Sequence, residues 1–472
     1  MITFLSAIAL LIGGYLLYSK VVERVFGINE KGVTPAYSMT DGVDYVPMKW
    51  GKVFLIQFLN IAGLGPIFGA IMGATFGPAA FLWIVFGSIF GGAVHDYLSG
   101  MLSIRHGGLS LHGITEFYLG KTVRKIMSVF TIVLMVLVGA VFIAGPARLL
   151  ANMTPNVLNF TFWSVAIFLY YFLATMTPID KLIGRIYPFF GLALIFMAVG
   201  ILISLLVNHA SIPEALPGNL YNMKFQSDKY PLFPMMFISI ACGAISGFHA
   251  TQSPMMARCL TNEKLGRRVF YGAMITEGLV ALIWAAAAMS FFGSVDSLQV
   301  FLGEHGGNAA VVVEKITKDW LGKTGAILAL IGVVAAPITS GDTAFRSGRL
   351  ILADVFHLDQ KPIRKRLYLA VPLFLTGFIL LQIDFDIIWR YFAWSNQTLA
   401  AITLWVITVA LANYNRFFWI TLIPAIFMTM VVITYILVAP EGFQLPLASG
   451  VWIAAIVSVL ASGWFFYKKK PV

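Results

Sequence analysis

The chain of 472 residues is 59% hydrophobic and 11% charged, with a mean hydropathy of +0.86. Such a composition excludes a single water-soluble globule and makes lipid the solvent. The formal net charge of +11 lies on Lys and Arg scattered between apolar runs, as membrane topology requires, and not on a patch fit for nucleic acid.

An apolar run of about 20 residues crosses a bilayer core. Thirteen spans are expected, at 2–18, 53–74, 79–104, 124–149, 160–176, 183–207, 233–257, 268–292, 323–345, 367–382, 388–413, 416–438 and 447–467. The first is short enough for a secretory leader, yet it lacks a basic flank, and Ser19-Lys20 is no small-residue cleavage site. It is therefore read as a span. With the N-terminus outside, the inner loops hold 25 of the 32 Lys and Arg; the other seven are Arg148, Lys224, Lys229, Lys315, Lys318, Lys323 and Arg390. This bias orients the chain N-out and C-in, with Lys468, Lys469 and Lys470 anchoring the inner end. The long outer segments, 208–231 and 293–322, carry Pro, Asn, Gly and mixed charge and suit caps or gates over a vestibule.

Glycine is the informative residue. Asn60-Ile61-Ala62-Gly63-Leu64-Gly65-Pro66-Ile67-Phe68-Gly69 falls in the middle of the second span, where Pro66 removes a donor and the glycines weaken the helix. A helix should break there. Ala241-Cys242-Gly243-Ala244-Ile245-Ser246-Gly247-Phe248-His249 interrupts the seventh span in the same way. Five spans separate the two clusters, so the broken helices run in opposite directions, the signature of an inverted-topology repeat. Unwound backbone in hydrocarbon needs partners, and a bound solute or ion can supply them. Gly63, Leu64, Gly65, Gly243, Ser246, Gly247, His249 and Gln252 are the expected substrate contacts; the plainer reading of the glycines is close helix packing. Cys242 and Cys259, the two cysteines, are read as small buried residues without disulfide or metal.

A third constellation, Ala336-Pro337-Ile338-Thr339-Ser340-Gly341-Asp342-Thr343, offers oxygens that suit a hard cation. Asp342 could carry a proton or neutralise Arg346 one turn on, and the hydroxyls could equally bond back to their own helix. The other ionisable residues inside spans are His95, Asp96, His249 and Glu277, each costly enough in lipid to be a functional candidate, though not all need be functional. His95-Asp96 is read either as a coupling pair or as a structural pair with an inner loop. Glu277 has no obvious partner in the sequence and is a proton-relay candidate, and His249 sits in a break where it can switch near neutrality. Trp394-Ser395-Asn396-Gln397 either lines the inner pathway or bonds helices together.

Asp41-Gly42-Val43-Asp44-Tyr45-Val46-Pro47, Ile61 to Pro66, Gly91-Gly92-Ala93-Val94-His95-Asp96 and Ala241 to His249 resemble the carbon starvation protein A family over most of the chain. The sequence is similar to its shorter members, with Ile56-Gln57 where the long enterobacterial ones carry a histidine pair. The resemblance implies a bacterial inner-membrane transporter that takes up pyruvate or short peptides when carbon is scarce. It also implies an all-α integral membrane fold, leucine-transporter-like, with a five-plus-five inverted repeat. The organisation would be an N-terminal helix and loop over 1–52, repeats over 53–207 and 208–413, and two C-terminal helices over 414–472. By the same resemblance the carbonyls of Leu59, Ala62 and Ala336 and the hydroxyls of Thr339 and Ser340 would bind sodium, while Pro66 removes a side-chain amide used elsewhere for a second ion.

The expectation is an ion-coupled transporter of a small carboxylate-bearing metabolite working by alternating access, with Asp96, Glu277 and Asp342 as coupling or proton sites. Sodium or a proton is the expected coupling ion. No other cofactor, no nucleic acid and no enzymatic chemistry is expected; the partners are the solute and the bilayer. The rival readings are a channel or metabolite-sensing receptor without coupling, and an intramembrane enzyme built on His95-Asp96 or on His249 with Glu277.

Overall fold

The computed structural model describes residues 1–176, 183–360, 362–383 and 385–468; Lys469 and Lys470 lie outside them. The helices are α1 (Ile2–Phe26), α2 (Trp50–Ile61), α3 (Gly65–Ala74), α4 (Ala79–Arg105), α5 (Leu111–Leu119), α6 (Lys121–Met153), α7 (Phe160–Met176) and α8 (Ile183–Val207). There follow α9 (Leu232–Ile240), α10 (His249–Ala257), α11 (Glu263–Phe291), α12 (Val295–Glu304), α13 (Ala309–Phe356), α14 (Ile363–Leu380), α15 (Phe385–Asn413), α16 (Trp419–Val438) and α17 (Leu447–Lys468). Among the described residues eight helices are long and apolar enough to cross a membrane, nine when the bent pair α2–α3 counts as one span. The helix α13 is longer than the span expected within it: Gly322, at φ +64°, turns the chain where the expected span at 323–345 begins.

Both expected breaks are present. The helix α2 ends at Ile61, and α3 leaves it at 56°. Pro66 sits in the first turn of α3, where a missing N–H costs nothing, so the break falls at Ala62 to Leu64, just before the proline. The second break opens at Ala241, which has φ +34°, and closes at His249. Opposite polarity follows from the neighbours of each end. The loop 41–48 leads into α2 and also touches the turn after α10, through Met48 N donating to Cys259 O at 3.1 Å. At the other ends, the segment 208–231 leads into α9 and reaches the end of α3, through Lys224 Nζ donating to Thr75 Oγ1 at 3.0 Å.

The two breaks pack on each other. A methyl on Gly65 would come within 2.1 Å of Cys242 Cβ, and one on Gly247 within 2.3 Å of Asn396 O, so only glycine permits these approaches. The polar interruption in α15 serves the second break directly. Asn396 Oδ1 accepts from Phe248 N at 2.7 Å and from Ser246 Oγ at 3.0 Å, Asn396 O accepts from Gly247 N at 3.1 Å, and Gln397 Nε2 donates to Ile245 O at 2.8 Å. Of the two readings of this segment, bonding between helices is the one the structure displays. Replacing Asn396 by Ala leaves a buried N–H and a buried hydroxyl without their acceptor, at about 1–3 kcal/mol each. The variant should therefore melt clearly below wild type in detergent; an unchanged melting temperature would contradict this role.

On the opposite face Glu214 holds the first turn of α1, accepting from Ile2 N at 2.9 Å and Thr3 N at 2.7 Å. Lys224 also lies over the Phe76 ring at 5.7 Å, and Met223 fills the space beside Gly77. Burial lowers the Lys224 ammonium to about 8. The sealed segment thus holds the neutral amine better than the charged one, is penalised below about pH 8, and gains stability as pH rises towards the free-lysine value of about 10.4. Backbone amides 222–225 should exchange more slowly at about pH 9.5 than at about pH 7 once intrinsic rates are removed, and Lys224→Met should flatten the difference. Equal protection at both pH values in wild type would refute the assignment.

Candidate transport site

Asp96 is the centre of a buried polar chain. It lies on α4 just after a widened turn, Gly87–Gly92, whose glycines let the second break approach: a methyl on Gly92 would meet Ala244 O at 2.3 Å. Its Oδ1 is 2.8 Å from His95 Nδ1 and its Oδ2 is 2.9 Å from His249 Nδ1, at the first residue of α10. His249 Nε2 is 3.5 Å from Glu277 Oε2 on α11. All four side chains are completely buried. The sequence separates these residues into three unrelated sites; the fold joins them. Glu277 gains the partner that it lacks in the sequence, and the His95-Asp96 pair is tied to the second break and not to an inner loop.

Proton bookkeeping follows from the donor inventory. An ionised Asp96 only accepts, so both histidines turn an Nδ1–H towards it. One further proton at this end then sits either on His249 Nε2 or on the Glu277 carboxyl, 3.5 Å apart and not hydrogen-bonded to each other. With one proton there the chain bears one net negative charge among completely buried side chains. A second proton brings it to neutrality, the state that burial favours.

The expected cation ligands also converge. Ser340 Oγ donates to Leu59 O at 3.1 Å and to Ala336 O at 3.0 Å, and Thr339 Oγ1 donates to Ala336 O at 2.8 Å. Four oxygens from the first break and α13 thus lie at one locus, while Ala62 is the first residue after α2. The back-bonding expected as the alternative is present as well: the same hydroxyls bond to their own helix and could turn to an ion. Asp342 is buried on α13. Arg346, which the sequence pairs with Asp342, has an ion pair with Asp44 of the loop 41–48 at 3.5 Å.

Among the expected substrate contacts, the glycines are packed tightly. Gly63 faces Phe142 and the Ser340 hydroxyl, Gly65 faces Cys242, Gly243 faces Ala281 and Gly247 faces Asn396; Leu64 packs on Gly145. Ser246 is held by Asn396. Gln252 bonds Thr251 through Nε2 at 2.8 Å, while its buried Oε1 makes no hydrogen bond. Sequence reasoning left out Asn60 as a contact. Gln57 Nε2 donates to Ser253 Oγ at 3.1 Å, and one turn on towards the break Asn60 is fully buried with neither amide atom hydrogen-bonded. Its signal was an amide immediately before the glycine cluster.

The chain is 26% identical to "Peptide transporter CstA" of Bacillus subtilis over 91% of this chain and 88% of the relative. It is 25% identical to "Pyruvate/proton symporter BtsT" of Escherichia coli over 88% of this chain and 77% of the relative. A membrane protein of Haemophilus influenzae without an assigned activity is 44% identical over 63% of this chain and 93% of its own. The fold is similar to that of MhsT in complex with L-phenylalanine, with a TM-score of 0.57 at 15% identity over 88% of this chain and 98% of the other. A manganese transporter of Eremococcus coleocola aligns with a TM-score of 0.53 at 13% identity over 91% and 98%. The profile of the family described as carbon starvation protein CstA matches residues 1–162, 148–324 and 309–435. The chain belongs to the carbon starvation protein CstA family.

Proposed function

We propose that the protein is a proton-coupled secondary transporter that imports a small carboxylate-bearing metabolite by alternating access. The observation that carries this reading is the buried chain His95–Asp96–His249–Glu277, which ties α4 and α11 to the start of a half-helix at the second break. Protonation brings this chain to neutrality and so changes the cost of keeping the break closed, which is what coupling requires. The relatives named for peptide transport and for pyruvate/proton symport favour the same class of solute. Pyruvate and a short peptide both present a carboxylate, and a half-helix N-terminus suits that group. In this scheme Gly63, Leu64, Gly65, Gly243, Ser246, Gly247, His249 and Gln252 meet the solute once the breaks part, and Asn60 joins them. The scheme includes an N-out, C-in orientation in a bacterial inner membrane, thirteen spans with a five-plus-five inverted core, and a role in carbon starvation.

Proteoliposome uptake of pyruvate and of alanyl-alanine, with imposed proton and sodium gradients in turn, tests the proposal. Uptake should follow the proton gradient, and Glu277→Gln should lower gradient-driven uptake by about 100-fold while sparing solute binding. Uptake that ignores both gradients would instead favour a channel or a sensor. The oxygen cluster at Leu59, Ala336, Thr339 and Ser340 favours sodium as a second coupling ion. Thr339→Ala should then abolish any sodium dependence without altering the response to pH; a sodium response that survives the substitution would remove that site.

A further inference from the structure

Below the second break lies a narrow cavity of about 20 Å³, room for about one water, whose polar lining is Ser110, His112, Thr131, Thr251, Arg258 and Ser347. It extends along α10 from Ala250 and Thr251 to the turn that carries Arg258. Arg258 is held by Nε donating to Gly108 O at 2.8 Å, and its guanidinium lies 5.0 Å from the centre of the Tyr45 ring. On the α13 side Ser347 is flanked by Arg346 and Arg349, both 1% exposed. Arg349 donates to the neutral amide of Gln360. The charges around it are the guanidiniums of Arg346, Arg366 and Arg258 and the carboxylate of Asp44.

That carboxylate belongs to a preformed turn. Asp41 Oδ1 accepts from Val43 N, Asp44 N and Tyr45 N at 2.8, 2.9 and 2.9 Å, Tyr45 OH donates to Gly107 O at 3.2 Å, and Met48 N donates to Cys259 O at 3.1 Å. The turn is rigid, yet its charged contact is loose. Asp44 Oδ1 stands 3.5 Å from Arg346 Nη1 and, although buried, makes no hydrogen bond. A free carboxylate could approach a guanidinium at about 2.7–2.9 Å and bind it through two oxygens, which Asp44 does not do here.

The geometry points to a second carboxylate site at this end of the pathway, formed by Arg258, Arg346 and Arg349, in which Asp44 of the loop 41–48 occupies the place of the solute's carboxylate. A solute leaving the second break displaces Asp44, and the loop lifts from the turn at Arg258 and Cys259. The loop is thus a latch that the cargo itself opens. The identity of the ligand rests on the transport reading; the exchange of one carboxylate for another does not.

Cys259 is a native reporter, because it is fully buried with its Sγ 3.9 Å from Asp44 O. Full-length wild-type protein in inside-out vesicles is treated with a membrane-impermeant maleimide, and modification at Cys259 is followed by mass spectrometry. Pyruvate or alanyl-alanine should accelerate modification about tenfold over chloride at equal ionic strength, and whichever of the two does so identifies the source of the carboxylate. Asp44→Asn, which keeps the shape and removes the charge, should be modified fast in chloride alone. Equal acceleration by chloride, no acceleration by either carboxylate, or an Asp44→Asn protein as slow as wild type would each overturn the latch. Uptake that persists under those results leaves the transport reading standing. A carboxylate response in a protein that transports neither solute overturns that reading and leaves this site.

Discussion

The structure depends on one constraint: backbone that leaves a helix inside hydrocarbon must find partners there. At the second break the partners are supplied by α15. Asn396 takes the amide of Phe248 and the hydroxyl of Ser246 on one oxygen, and Gln397 reaches the carbonyl of Ile245. At the first break Ser340 reaches the carbonyl of Leu59 from α13. Each break is thus held by a side chain on a different helix. Any movement of α13 or α15 against the broken pair trades these bonds for others, which is how a local change can become a change of access.

The same constraint explains the buried charges. Four ionisable side chains placed separately in lipid would each be costly, whereas Asp96 bridging two histidines with Glu277 beyond shares protons and limits the net charge. His249 opens the half-helix α10, so one residue belongs both to the buried chain and to the second break. The Leu59–Ala336–Thr339–Ser340 oxygens lie at the first break and the buried chain at the second, so the proposed cation and proton sites bear on one pair of broken helices.

Much of this was legible in the sequence. Glycine clusters with Pro66 and with Ser246 and His249 mark both breaks, since glycine weakens a helix wherever it stands. The spacing Ala336, Thr339, Ser340 marks the oxygen cluster because i, i+3 and i+4 share one helix face. What the sequence hides is pairing across distance. Asp96 and His249 are 153 positions apart, and Asn396 and Phe248 are 148 apart; nothing local to either partner encodes the meeting. The glycines were legible as a class but not in their task, since whether Gly65 faces a solute or Cys242 is decided by the neighbouring helix. Within the run Asn60 to Gly69 the break falls at Ala62 to Leu64, because a proline at the start of a helix marks where it resumes.

The central claim is that solute and proton move together through the Asp96–His249–Glu277 chain. It is tested most directly by recording external pH while pyruvate or alanyl-alanine is added to weakly buffered, voltage-clamped proteoliposomes containing the protein. The account predicts alkalinisation outside in proportion to the solute taken up, lost in Asp96→Asn. Solute uptake with no accompanying proton movement would contradict it.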